Sequence, residues 1–199
     1  MKTIALDADG VLLDYNAAYA HAWQRAFGEF PALKNPNGYG PMDRWSILKL
    51  TGEPLDKLRA VFDEYFWSTI PAIPGALQAC ELLKDAGYEL VCVTAVNSRF
   101  ADARTRNLQS LGFPIARVMA TGNIVTSRSP KADALEAIKP VAFVDDYAPY
   151  LTGVDPGIHL ALIMRDPDGS PNTGELVQPP DSRHADLLDF ASWWCDSRK

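Results

Sequence analysis

At 199 residues, with 47% hydrophobic and 22% charged side chains, the chain can bury a substantial core and is too apolar for disorder to explain it. Its formal net charge is −6, with Lys and Arg scattered rather than clustered, which excludes a nucleic-acid backbone as partner because that needs a basic face. A small anionic ligand stays possible, since one local cation plus a metal ion can hold it against overall acidity.

In chain order, residues 2–6 form the first apolar run, and Asp7 and Asp9 interrupt it too early for a signal peptide. Residues 14–28 carry aromatic and alanine positions at helical spacing, 31–41 read as a Pro/Gly/Asn loop, and 43–50 and 54–68 read as further helices. Residues 75–86 follow Pro74 and stop before Gly87, and 98–111 stop at Gly112, so both predict helices with start and stop signals in place. Runs at 89–94, 116–120, 141–145 and 158–164 join 2–6 as five predicted strands, largely apolar on both faces, as in parallel sheets covered on both sides. Ser129-Pro130 opens another helix, with Ser129 as N-cap. The stretch from about 165 to 183 reads as surface loops, and a short helix bearing Trp193 and Trp194 follows it. Alternation of strand and helix predicts an α/β, doubly wound (Rossmann-like) parallel five-stranded sheet. A mostly helical insertion follows the first strand, giving a core of 1–13 and 74–199 and an insertion of 14–73. Cys80, Cys92 and Cys195 are odd in number without CxxC spacing, and no apolar run approaches the roughly 20 residues of a membrane span, so a soluble cytoplasmic protein with reduced thiols is expected.

Ligands of parallel sheets gather beyond the carboxyl ends of the strands. There the chain places Asp7-Ala8-Asp9-Gly10, then Thr94-Ala95, then Asp145-Asp146, with Lys131 at the start of the helix before the fourth strand. Carboxylates crowded in one crevice repel one another, and a divalent cation relieves the repulsion. Oxygen ligands without His or Cys select a hard ion such as Mg²⁺. One aspartate can then act as nucleophile and a second as proton donor and acceptor. Gly10 permits a sharp turn that would aim backbone N–H groups at an anion. A cation in a helix's first turn opposes the macrodipole, so Lys131 makes sense with anionic partners.

The stretches LDADGV, CVTA, SPKADAL and FVDDY resemble the haloacid dehalogenase (HAD) superfamily of phosphohydrolases. The resemblance implies Asp7 as nucleophile, Asp9 as general acid/base with its carbonyl on the metal, and Thr94 on the phosphoryl group. It also implies Lys131 as the neutralising cation, Asp146 as direct Mg²⁺ ligand and Asp145 beside it. Phosphate-binding candidates are thus Gly10, Thr94, Ala95 and Lys131, and the insertion sits where the family places a small helical cap. Family members that cleave carbon–halogen bonds lack the second aspartate, so Asp9 implies phosphoryl transfer. DADGVLLDY, IPGA and VDD are further similar to the 5′(3′)-deoxyribonucleotidase branch, with Trp45, Phe62, Phe66 and Trp67 as base-stacking candidates and Arg44 as a substrate contact. The expected activity is Mg²⁺-dependent hydrolysis of a small phosphorylated metabolite. A nucleotidase, a phosphotransferase of the mutase kind and a non-catalytic metal- or phosphate-binding protein are the alternatives.

Overall fold

The computed structural model describes residues 1–197. Its centre is a parallel sheet of β1 (Lys2–Leu6), β2 (Tyr88–Thr94), β3 (Ile115–Ala120), β4 (Ala142–Asp145), β5 (His159–Ile163) and β6 (Ser182–His184), in the order β3-β2-β1-β4-β5-β6. Leu6 sits beside Cys92 on one side and Val144 on the other, so β1 lies where the strand order reverses. That reversal opens the crevice in which open α/β sheets bind ligands.

Side chains along the strands alternate between two buried faces, as the pleat requires. Ile4, Leu6, Leu90, Cys92 and Val144 face one hydrophobic cluster, while Ala5, Val91, Val93, Phe143 and Leu162 face the other. The first cluster is covered by α1 (Tyr15–Phe27), α5 (Ala76–Asp85), α6 (Ala101–Ser110) and α8 (Leu187–Asp196), and the second by α7 (Ala132–Ile138) and the turn at Ala148–Leu151. Ala18, Ala22 and Phe66 belong to the first cluster, so part of the helical insertion shares a core with the sheet.

Several expectations need correction. The sheet has six strands, because residues 182–184 add an edge strand on β5, tied by Met164 N–H donating to the His184 carbonyl (2.8 Å). Three residues reading Ser-Arg-His carry no apolar run that could announce a strand. Residues 43–50 are not a helix: only the turn α2 (Pro41–Arg44) forms. Residues 54–68 divide into α3 (Glu53–Ala60) and α4 (Glu64–Ser68), because the Asp63 side chain caps the second by accepting from Phe66 N–H and also pairs with Arg25. α7 starts later than Ser129-Pro130 suggests, with Lys131 itself at the N-cap and the Ser129 hydroxyl accepting from Lys131 N–H.

Cys80 and Cys92 are buried thiols, and burial pushes Cys80 up to about 12. Trp194, wholly buried, anchors α8 against α5 and the sheet. The start of α8 is fixed by Asp186, whose carboxylate accepts from Asp189 N–H (2.8 Å), while Asp189 returns the bond to Ala185 N–H. Asp186→Ala should lower stability by about 1 kcal/mol, measured as an earlier urea midpoint with unchanged slope. No helix among the described residues is long and apolar enough to cross a membrane.

Candidate active site

The carboxyl ends of β1 and β4 meet because Asp7 N–H continues the ladder by donating to the Val144 carbonyl (2.9 Å). Asp7, Asp145 and Asp146, all buried, thereby bring one carboxylate oxygen each within 4.8 Å of the others. Lys131, wholly buried, donates from Nζ to Asp7 Oδ1 and Asp145 Oδ2, both at 2.6 Å. Asp145 spends its other oxygen on Tyr147 N–H. Asp146 Oδ2 accepts from Arg165 Nε (2.6 Å) and from the Tyr39 hydroxyl (3.1 Å). Asp9 stands at the edge, with Arg104 Nη2 lying 2.8 Å from both of its oxygens.

Four carboxylates face three cations, so with all four ionised one negative charge is in excess, and a proton on Asp9 removes it. Burial raises the pKa of Asp9, Asp145 and Asp146, even though Arg104, Lys131 and Arg165 respectively pull them down. Burial would lower Lys131, but Asp145 and Asp7 outweigh it and hold the ammonium firmly charged.

Asp7, Asp9, Ala95 and Asp146 line one cleft of about 340 Å³. Thr94 lies buried at the end of β2, and its hydroxyl has no partner among the described residues. Gly10 adopts φ +93°, and a Cβ there would stand 2.2 Å from Asp146 Oδ2 and 2.6 Å from Arg165 Nε, so no larger residue fits. The sharp turn expected at Gly10 is present, and its own N–H is engaged within that turn, donating to the Leu13 carbonyl (2.9 Å). Arg44 and Trp45 are not brought to the cleft. Arg44 pairs with Asp166 and borders a second cavity, while Trp45 Nε1 donates to the Asn16 carbonyl and its ring packs on Phe30. Of the aromatic candidates, Trp67 lines the cleft, Phe66 is buried with its ring edge-on to Trp67, and Phe62 packs against Phe66 and Tyr19.

Sequence reasoning missed Arg104, Arg165 and Tyr39. Arg165 had a usable signal, since it lies two residues past β5 on the same rim as the other groups. Arg104 shares the buried face of α6 with Asn107 and Leu108, at helical spacing, yet ADARTRN reads as a solvated helix. Tyr39 sits in a loop with no signal at all.

A family model for haloacid dehalogenase-like hydrolases matches residues 1–147. The chain belongs to the haloacid dehalogenase-like hydrolases. Its fold is shared by solved structures of this HAD family. One is a HAD family hydrolase from Deinococcus radiodurans R1 with bound phosphate and sodium, 14% identical with a TM-score of 0.65, covering 100% of this chain and 96% of that one. Another is a predicted phosphoglycolate phosphatase from Haemophilus somnus 129PT, 15% identical with a TM-score of 0.64, covering 98% of each chain. A third is an L-2-haloacid dehalogenase, 16% identical with a TM-score of 0.62, covering 98% of this chain and 99% of that one. No curated protein matches the sequence.

The HAD site's donors fit a hard divalent cation: they are oxygens only, three carboxylates converge, and an excess of negative charge waits to be neutralised. The buried Thr94 hydroxyl at the end of β2, unpartnered among the described residues, could donate a hydrogen bond to an anion.

Proposed function

We propose that the chain is a Mg²⁺-dependent phosphomonoester hydrolase that works through an aspartyl-phosphate on a small, soluble phosphorylated metabolite in the cytoplasm. The observation that carries this reading is the convergence of Asp7, Asp145 and Asp146 within 4.8 Å, with Asp9 lining the same cleft. A carbon–halogen hydrolase has no need of the second acid, whereas a phosphoryl transfer to and from Asp7 needs a proton donor and acceptor.

Mg²⁺ at Asp7, Asp146 and the Asp9 carbonyl, with Asp145 alongside, would offset the negative charge that otherwise repels a phosphate dianion. Asp7, aimed by Lys131 on Oδ1, attacks phosphorus with a carboxylate oxygen. The bond from phosphorus to the ester oxygen breaks as the new one forms, and Asp9 gives that oxygen its proton. Thr94 and Lys131 hold the transferring oxygens. Water then attacks the phosphoryl group on Asp7, Asp9 takes the water's proton, and inorganic phosphate leaves with Asp7 restored. Residues 14–73 serve as the cap in this reading, since Tyr15, Tyr39 and Trp67 contribute the cleft's outer wall and limit access of bulk water.

A second reading is a nucleotidase of the same chemistry. It is favoured by Tyr15, Trp67, Tyr147 and Tyr150 around the cleft, rings on which a base could stack. A panel of phosphorylated metabolites assayed with Mg²⁺ and with EDTA tests both. Phosphate release that EDTA abolishes is expected. Nucleoside monophosphates at least tenfold above sugar phosphates would select the nucleotidase, no release from any ester would refute the hydrolase, and a bisphosphate requirement would point to phosphotransfer.

A further inference from the structure

Arg104 is the one charged side chain of α6 with no exposed surface: its side chain is 0% exposed. Burying a guanidinium is costly unless its donors are satisfied. Here only Nη2 is used, on both oxygens of Asp9, while Nε and Nη1 have no hydrogen-bond partner among the described residues. A residue kept for packing alone would do better as an apolar side chain of the same volume. The Trp67 ring, with its centroid 5.3 Å from Arg104 Cζ, lines the cleft as Asp9 does, while Arg104 itself is not among the lining residues.

The asymmetry among the acids supports the same point. Asp7 and Asp145 share Lys131, before β4, and Asp146 has Arg165, after β5, together with Tyr39 from the insertion. Asp9 receives no side-chain hydrogen bond among the described residues except from Arg104, which lies 95 positions away on the helix after β2. Without it the Asp9 side chain, 26% exposed, is free to rotate into the cleft or away from it.

We propose that Arg104 is the positioning residue for Asp9: it fixes the carboxyl group at the cleft so that the group can meet the departing ester oxygen. This rests on the hydrolase reading above. A mispositioned proton donor costs most where the leaving oxygen needs its proton and least where it departs readily as an anion.

The test compares wild type with Arg104→Met, Arg104→Lys, Asp9→Asn and Asp9→Asn/Arg104→Met on glycerol 2-phosphate and 4-nitrophenyl phosphate, with Mg²⁺. For Arg104→Met, kcat/KM, which reports transfer to Asp7 and not the later hydrolysis that both esters share, should fall about 30- to 100-fold on glycerol 2-phosphate and by less than about fivefold on 4-nitrophenyl phosphate. Arg104→Lys should recover part of the loss on the alkyl ester. In the Asp9→Asn background, adding Arg104→Met should change kcat/KM by less than twofold, because a residue that acts through Asp9 has nothing left to act on. The double variant removes both partners of the ion pair, so it stays interpretable if the single methionine variant fails to fold. Equal losses on the two esters, or a further large loss in the double variant, would overturn the proposal. A wild-type protein inert on both esters would refute the hydrolase reading itself.

Discussion

Asp7→Asn is expected to reduce Mg²⁺-dependent hydrolysis of 4-nitrophenyl phosphate by about 10³-fold or more. The substitution is nearly isosteric. Its amide oxygen can still accept from Lys131 Nζ, which lies 2.6 Å from Asp7 Oδ1, so the surroundings of the site change little. What vanishes is the carboxylate proposed as nucleophile, and with it one negative charge. A melting temperature near that of wild type would show that the loss is chemical rather than structural. An acid-quenched reaction with radiolabelled ester should leave phosphate on the wild-type protein and none on the variant. Retained turnover would remove Asp7 from the chemistry, and with it the proposed aspartyl-phosphate.

The second large effect is on stability. Lys131→Met is expected to destabilise the fold by about 3–5 kcal/mol, because it strips the only cation among the described residues that Asp7 and Asp145, both buried, share. Methionine fills much the same volume, so the loss comes from stranded charge rather than from a hole. With a urea slope of about 1–3 kcal/mol/M, the midpoint should move down by more than about 1 M. Added Mg²⁺ should then raise the variant's midpoint more than that of wild type, since a site short of one positive charge gains more from a divalent ion. A variant as stable as wild type in the absence of Mg²⁺ would mean that the three acids do not depend on Lys131 for neutralisation.

The parts of this molecule that sequence made legible share a physical cause. β1, β2, β4 and β5 are apolar on both faces because helices cover both, and such runs stand out. Asp7, Thr94 and Asp145 end those strands, so finding the strand found the residue. β6 stayed hidden because an edge strand of three residues needs only its backbone to pair, and backbone carries no side-chain pattern. The helical insertion resisted reading for another reason: its breaks are decided by distant partners. Asp63 stops one helix and starts the next while gripping Arg25, and Trp45 leaves α2 to donate to the Asn16 carbonyl. Arg104 illustrates the limit most clearly. Most of its neighbours in sequence are polar and its partner lies 95 residues earlier, so only the folded chain reveals the pair.

The placement of β1 between β2 and β4 has a consequence for synthesis. This strand leaves the ribosome well before either flank exists, and its second flank, β4, ends only at Asp145. Until then Ile4, Ala5 and Leu6 have at best one bare edge covered, an exposed apolar segment of the kind that chaperones shield and that slows vectorial folding. The same delay keeps Asp7 apart from Asp145 and Asp146, because the acids at the end of β4 arrive together with the strand that locks β1 in place.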